Sequence, residues 1–327
     1  MMRIVKKMIR NLVFIGALLI WLSVLAQADP LADYQEAHDI YLYAAVSLAA
    51  YHDRYGELAL TVLQQEGWEA QYFHVEQKPA AAKFIFMKKM DPVSGNPIYL
   101  LAVAGTENEK DIRADLRFDK VYFAGRNGAE FAAQAAEKNI DNSQPKVHRG
   151  FHQVVQTAFT AKVKEGLSME DLAGYLIEYP EQKIILTGHS LGGAAATLGG
   201  ARLLSMGIRP EQVKIVTFGA PAVGNAAFAR EFEDRLDVTR LVMSGDQITS
   251  ILQDVIGGYK QFGKVQRWET PVQVAQHPHD IMVYLDAAAR NYYEKRRRAG
   301  QAGLISLPNQ SLANDGPRVY VAPLKNR

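Results

Sequence analysis

The spacing of apolar residues divides the chain into segments of two kinds, some with a helical period and some short, continuous and strand-like. "YLYAAVSLAAYHDRY" and "ELALTVLQQEG", between residues 31 and 66, have helical apolar spacing and little Gly or Pro. They predict two helices covering one face of a sheet. "AKFIFMKKM" and "IYLLAVAG" flank the turn-rich "DPVSGNP" and predict a β-hairpin at a sheet edge. From Asp111 to Pro145 no period is sustained, which predicts a surface excursion holding a short helix inside a long loop.

"RGFHQVVQTAFTAKVKEG" and "MEDLAGYLIEYP" read as helices, the second stopped before Pro180 and followed by the strand "KIILT". The strands "VKIVTFGAP" and "VTRLVMSGD" follow, separated by the helical "NAAFAREFEDRL". This alternation predicts an α/β fold, a mainly parallel sheet with helices on both faces. Beyond Asp246, "GGYKQFGKVQRWET" predicts a second hairpin, and "HPHDIMVYLDAAARNYYEKRRR" a helix whose basic end, Lys295 to Arg298, is solvated.

The first 28 residues follow another pattern. Arg3, Lys6, Lys7 and Arg10 precede the apolar run "NLVFIGALLIWLSVL", and Ala26-Gln27-Ala28 has the small-x-small form of a signal-peptidase site. The run is too short for a spanning helix, so cleavage after Ala28 and a mature chain without an integral membrane span are expected. That gives a signal peptide over 1–28, one catalytic-size domain over 29–290 and a C-terminal extension over 291–327 rich in Gly, Asn, Ser and Pro. The whole chain carries 37 Lys+Arg against 35 Asp+Glu. Without the four basic residues of the leader the balance turns slightly acidic, which gives a nucleic-acid role no support. Cysteine is absent, which excludes disulfides, a thiol nucleophile and cysteine-ligated metals. An exported chain of this kind suits a bacterial periplasm or the external medium.

The chemistry concentrates in "KIILTGHSLGGAAATL", a strand, a Gly-rich turn and a helix around G-x-S-x-G. Such a turn is tight enough to need glycines beside the serine, here Gly188 and Gly192, and it lifts the Ser190 hydroxyl above the sheet. The amide of Leu191, opening the next helix, can face a developing oxyanion. A serine needs a base and a group to orient that base. In the chain order nucleophile, acid, histidine, both must lie downstream, where only His277 and His279 occur among eight histidines. His189, inside the turn, is expected to pack or hydrogen-bond with its ring turned from the attack side. Asp246, at the end of a strand, leads over Asp237 and Asp254 because parallel sheets carry functional loops at carboxyl ends.

With these residues in place the chain resembles the class 3 lipases, the fungal-type triacylglycerol lipase family of α/β-hydrolases. "GHSLGGAAATL" resembles their nucleophile segment and "VTFGAPAVGNAAFA" their next strand and loop. "VHRGFHQVV" and "GYKQFGKVQRW" are similar to flanking blocks. The resemblance implies an α/β-hydrolase fold, with Asp246 of "MSGDQITSIL" as the catalytic acid. His279 of "HDIMVYL", similar to H-x-x-x-x-Y-L, becomes the base in preference to His277. "AVAGTENEKDIRADL" matches the R-G-[ST] oxyanion segment except that Ala104 replaces the arginine, implying Thr106 and Leu191 as oxyanion donors and a lid after Thr106, either "ENEKDIRADL" or the longer excursion to Pro145.

The function so implied is hydrolysis of a lipid or other ester at a lipid–water interface by Ser190, His279 and Asp246, without metal or organic cofactor. Acylglycerols are the family's usual substrate; phospholipase A1, short-chain or feruloyl esterase chemistry can run on the same machinery. A non-catalytic lipid-binding envelope protein is the competing class, disfavoured because all three members of the triad are present.

Overall fold

The structure, a computed structural model, describes residues 29–76, 80–105, 119–161 and 168–306. The leader over 1–28, Thr106, the lid candidate "ENEKDIRADL" and the tail strand "RVYVAP" lie outside the described residues.

The chain divides into two compact units. The first pairs residues before Ile40 with residues after Arg290. In it Lys295 Nζ lies 2.5 Å from Asp33 Oδ2, and Tyr34 stacks on Tyr292 at 5.8 Å between ring centroids. The basic helix end is therefore partly neutralised rather than simply solvated: Lys295 takes Asp33, and Arg298 takes Glu294 one turn back at 2.5 Å.

The second unit, Ile40–Arg290 among the described residues, holds a seven-stranded sheet. Helices α1 (Pro30–Ala49) and α2 (Arg54–Gln65) come first, as their spacing predicts. Strands β1 (Glu69–Val75), β2 (Ala82–Met90) and β3 (Pro97–Val103) follow and pair antiparallel, with Met90 opposite Pro97 across the expected hairpin. The hairpin is not the sheet edge: β1 is. None of its residues is fully buried, so its sequence lacks the apolar alternation that would reveal a strand. Strands β4 (Lys120–Tyr122) and β5 (Lys146–His148) form a small separate ribbon at the ends of the Asp111–Pro145 excursion. Three residues each are too few to show a period. Helix α3 (Gly128–Ala136), capped by Asn127, is the short helix expected inside it.

Helices α4 (Arg149–Thr160) and α5 (Met169–Glu178) lead into β6 (Lys183–His189) and α6 (Leu191–Ser205). Then come β7 (Val213–Phe218), α7 (Ala226–Phe232), β8 (Asp237–Met243), β9 (Lys264–Trp268) and α8 (Ile281–Gln301). The sheet order is β1-β2-β3-β6-β7-β8-β9, parallel from β3 to β9. Strand alternation splits the core in two. Phe84, Leu101, Leu186 and Ile215 pack on one face with α6, while Ile85, Leu100, Ile185 and Val216 pack on the other with Leu42, Val46 and Tyr284. Burial on both faces explains why these strands read as continuous apolar runs.

The second expected hairpin is absent. Only Lys264–Trp268 is a strand, and it joins β8 in parallel. Gly257, Gly258 and Gly263 take φ of 76°, 73° and 89°, which breaks the first arm, while Tyr259 and Phe262 turn into the core and Lys260 bridges to Gly224.

Candidate active site

The turn between β6 and α6 is built as the sequence requires. Ser190 takes φ 57° and ψ −127°, a conformation that costs a non-glycine residue roughly 1–3 kcal/mol. A Cβ at Gly188 would sit 2.4 Å from the Gly192 carbonyl carbon, and one at Gly192 only 2.0 Å from the Val103 oxygen. Neither neighbour is a side chain that can rotate away, so both positions exclude every other residue. Leu191 is the first residue of α6, so its amide is among the first-turn donors that lack an acceptor inside the helix.

Asp246 lies three residues past the end of β8 and His279 two before α8; both are buried. His279 Nδ1 is 2.9 and 3.0 Å from the two Asp246 oxygens, and its Nε2 is 2.9 Å from Ser190 Oγ. An ionised carboxylate can only accept, so Nδ1–H donates to Asp246 and Nε2 is left to accept the Ser190 hydroxyl proton. The structure thus brings Ser190, His279 and Asp246 into one hydrogen-bonded line. His277 is exposed; Asp237 opens β8 and is exposed, as is Asp254. The elbow is expected to expose its hydroxyl, but Ser190 is 0 % exposed. The strand end after β3 packs on it, a Cβ at Gly105 falling 3.2 Å from Ser190 Cβ.

Asp246 is held from two further sides. The Tyr284 hydroxyl donates to Oδ2 at 2.6 Å and the Ile248 amide to Oδ1 at 3.0 Å. The same Tyr284 oxygen accepts the Met243 amide at 3.1 Å, which ties the carboxylate to the last residue of β8. Burial, then the Asp246 charge, pushes the Tyr284 phenol well above its usual range, so it stays a donor. Gly219, with φ 62°, makes room for this group: a Cβ there would lie 2.9 Å from Asp246 Oδ2 and 3.2 Å from His279 Cε1. Reading the residues by type alone passes over Tyr284 and Gly219. Their signals are the Tyr of "HDIMVYL" and the Gly of "TFGAP".

His189 points away from Ser190. Its Nε2 lies 2.7 Å from the His279 carbonyl oxygen and its Nδ1 2.7 Å from the Tyr51 hydroxyl. A carbonyl only accepts, so Nε2 carries the proton and Nδ1 accepts from Tyr51. Burial, then the neighbouring His279, keeps its pKa well below the ordinary histidine value.

A second polar centre forms at "AVGN". Buried Asn225 caps α7 by accepting from the Phe228 amide at 3.0 Å and also accepts from the Lys146 amide at 3.0 Å. Its Nδ2 donates to Asn142 and Gln144 carbonyls at 3.1 and 2.9 Å. That explains the asparagine in the motif: no other side chain of this size offers two donors and an acceptor used twice.

A serine on a strained strand–helix turn, hydrogen-bonded through histidine to an aspartate beyond the parallel strands, marks the α/β-hydrolase fold. Its likeness to solved structures agrees: a Rhizomucor miehei triacylglyceride lipase superposes with a TM-score of 0.52 at 20% identity, over 72% of this chain and 80% of that one. Residues 100–255 match the family model described as lipase (class 3). Among its relatives, a chloroplastic phospholipase A(1) of Arabidopsis thaliana is 35% identical over 121 residues, 36% of this chain and 26% of the relative. A lipase of Rhizopus niveus is 37% identical over 129 residues, 35% of this chain and 30% of the relative. The chain thus spans less than a third of the length of either relative. Among the described residues no helix is long and apolar enough to cross a membrane.

Proposed function

We propose that the protein is a serine carboxylic-ester hydrolase that cleaves acylglycerols through Ser190, His279 and Asp246. The observation that carries this reading is the continuous hydrogen-bond line from Ser190 Oγ through His279 to Asp246 on a strained elbow. In the reaction, His279 Nε2 takes the Ser190 proton as Oγ attacks the ester carbonyl carbon, and Asp246 stabilises the imidazolium. The tetrahedral oxyanion is held by the Leu191 amide and Thr106. Collapse expels the alcohol, which takes the proton from His279 and leaves an acyl-serine. Water, deprotonated by the same nitrogen, then frees the acid and restores Ser190.

The relative named a phospholipase A(1) favours a second reading on the same machinery, hydrolysis of a phospholipid acyl ester. Residues 1–28 add export to the periplasm or the medium. Two measurements together test the proposal. A fluorophosphonate probe should label Ser190, and Ser190→Ala should lower kcat by about 10⁶ while leaving the fold intact. Initial rates on p-nitrophenyl esters of rising chain length, emulsified triacylglycerol and phospholipid vesicles rank the substrates. An unlabelled Ser190 in a folded protein, or ester turnover that survives Ser190→Ala, would remove the mechanism.

A further inference from the structure

The imidazole of His189 joins three parts of the site. It belongs to the last residue of β6, directly before Ser190. Through Nε2–H it holds the main-chain oxygen of His279 at 2.7 Å, and through Nδ1 it takes the hydroxyl of Tyr51, just past α1, at 2.7 Å. Tyr51 in turn lies against the end of the strand that precedes the oxyanion segment: a Cβ at Gly105 would fall 2.5 Å from the Tyr51 oxygen and 2.7 Å from the His189 carbonyl oxygen. The His189 and His279 rings are 4.7 Å apart at 39°.

His189 itself cannot act on the ester. It is buried and both ring nitrogens are committed. A hydrocarbon ring in its place would fill the space but leave the His279 carbonyl and the Tyr51 hydroxyl without this partner. The group it anchors is the backbone of the base. His279 sits on a loop between exposed His277 and the start of α8, so the direction of its side chain depends on how its own peptide is held. A misplacement of about 1 Å at a reacting group can cost on the order of 10²-fold in rate. Neutrality matters too. A proton shared by His279 during the reaction would be repelled by a charged ring at this separation, and a neutral donor to a carbonyl exerts no such repulsion.

We propose that His189 is a positioning residue for the base: by bonding the His279 carbonyl and the Tyr51 hydroxyl it locks the base-bearing loop against the nucleophile turn and the strand end at Gly105. The inference rests on reading Ser190, His279 and Asp246 as the catalytic line. His189 sets turnover rather than substrate affinity, because it is buried and both its ring nitrogens are engaged by the protein, which leaves it no polar atom for an ester.

The test compares His189→Phe, His189→Gln and Tyr51→Phe in the full-length protein, by kcat and KM on p-nitrophenyl butyrate and by the rate of fluorophosphonate labelling. His189→Phe should lower kcat and labelling about 10- to 100-fold with KM within about twofold. Glutamine supplies an amide donor near the place of Nε2 and should recover kcat to within about fivefold of wild type. Tyr51→Phe should lower kcat less than His189→Phe, again at constant KM. A folded His189→Phe with kcat within twofold of wild type, or glutamine no better than phenylalanine, overturns the proposal. If His189→Phe does not fold, an unchanged kcat in Tyr51→Phe overturns it. Wild type that is never labelled at Ser190 refutes the catalytic reading instead, so the two failures are distinct.

Discussion

Replacing Tyr284 by phenylalanine removes one oxygen from the centre of the site and leaves its packing in place. The ring is fully buried and meets Phe218 edge-on at 6.1 Å, contacts that phenylalanine keeps. The lost oxygen donates to the Asp246 carboxylate at 2.6 Å and accepts from the Met243 amide at 3.1 Å. A hydrogen bond to a charged group contributes roughly 1.5–3 kcal/mol, and a buried amide left without its acceptor costs about 1–3 kcal/mol. Asp246 keeps the Ile248 amide and His279, and local relaxation recovers part of the loss. The expected destabilisation is therefore about 3 kcal/mol, or a fall in Tm of roughly 6–10 °C. Turnover should fall about tenfold, since the carboxylate that orients the imidazole loses one of its fixed donors. Urea unfolding followed by circular dichroism reads the first quantity, and kcat on a p-nitrophenyl ester the second. A destabilisation under about 1 kcal/mol at unchanged m-value, or kcat equal to wild type, would refute the view that the hydroxyl supports Asp246.

Three further outcomes are expected. Asn225→Ala removes four hydrogen bonds at a buried helix cap and should cost about 3–4 kcal/mol by urea unfolding, and Asn225→Asp, which turns a carboxylate oxygen onto the Asn142 and Gln144 carbonyls, should cost at least as much; a loss under about 1 kcal/mol in either variant would contradict the role given to Asn225. Gly192→Ala places a methyl 2.0 Å from the Val103 oxygen and should destabilise by at least about 3 kcal/mol, so a variant with wild-type Tm would show that the turn is looser than described. Buried His152 accepts from Arg202, and burial, then the Arg202 charge, lowers its pKa from 6.5 to about 3. The unfolded chain binds that proton more readily, so this contribution is complete above pH 6.5 and is lost as pH falls toward 3, up to about 5 kcal/mol. Tm measured from pH 7 to 4 should fall, and His152→Gln, which keeps an acceptor for Arg202, should flatten the slope; an unaltered slope would count against a neutral buried His152.

The elbow was readable from residue order because its constraint is local: a strand that turns into a helix within three residues leaves no room for side chains at 188 and 192, whatever surrounds it. The order of strands and helices was readable for a similar reason, since central parallel strands are buried on both faces and announce themselves as apolar runs. Where burial is slight or length is short that signal vanishes, as in the edge strand β1 and the three-residue strands β4 and β5. The false hairpin at Gly257–Trp268 shows the opposite failure, apolar residues with turn glycines whose partner is a distant strand, β8, rather than their neighbour.

Local order along the chain thus determined the α/β layering, the strained serine turn and a short set of downstream acids and bases. Only the tertiary structure decided which of these meet. Asp246 lies 33 residues from His279, and His279 lies 89 from Ser190, so their bonds exist because parallel strands bring loop ends together. The same holds for the supports: Tyr284 under Asp246, Tyr51 behind His189 and Asn225 beneath β5 each act across the fold. A hydrogen bond depends on distance and direction in space, and residue order fixes those only within a turn or two of the backbone.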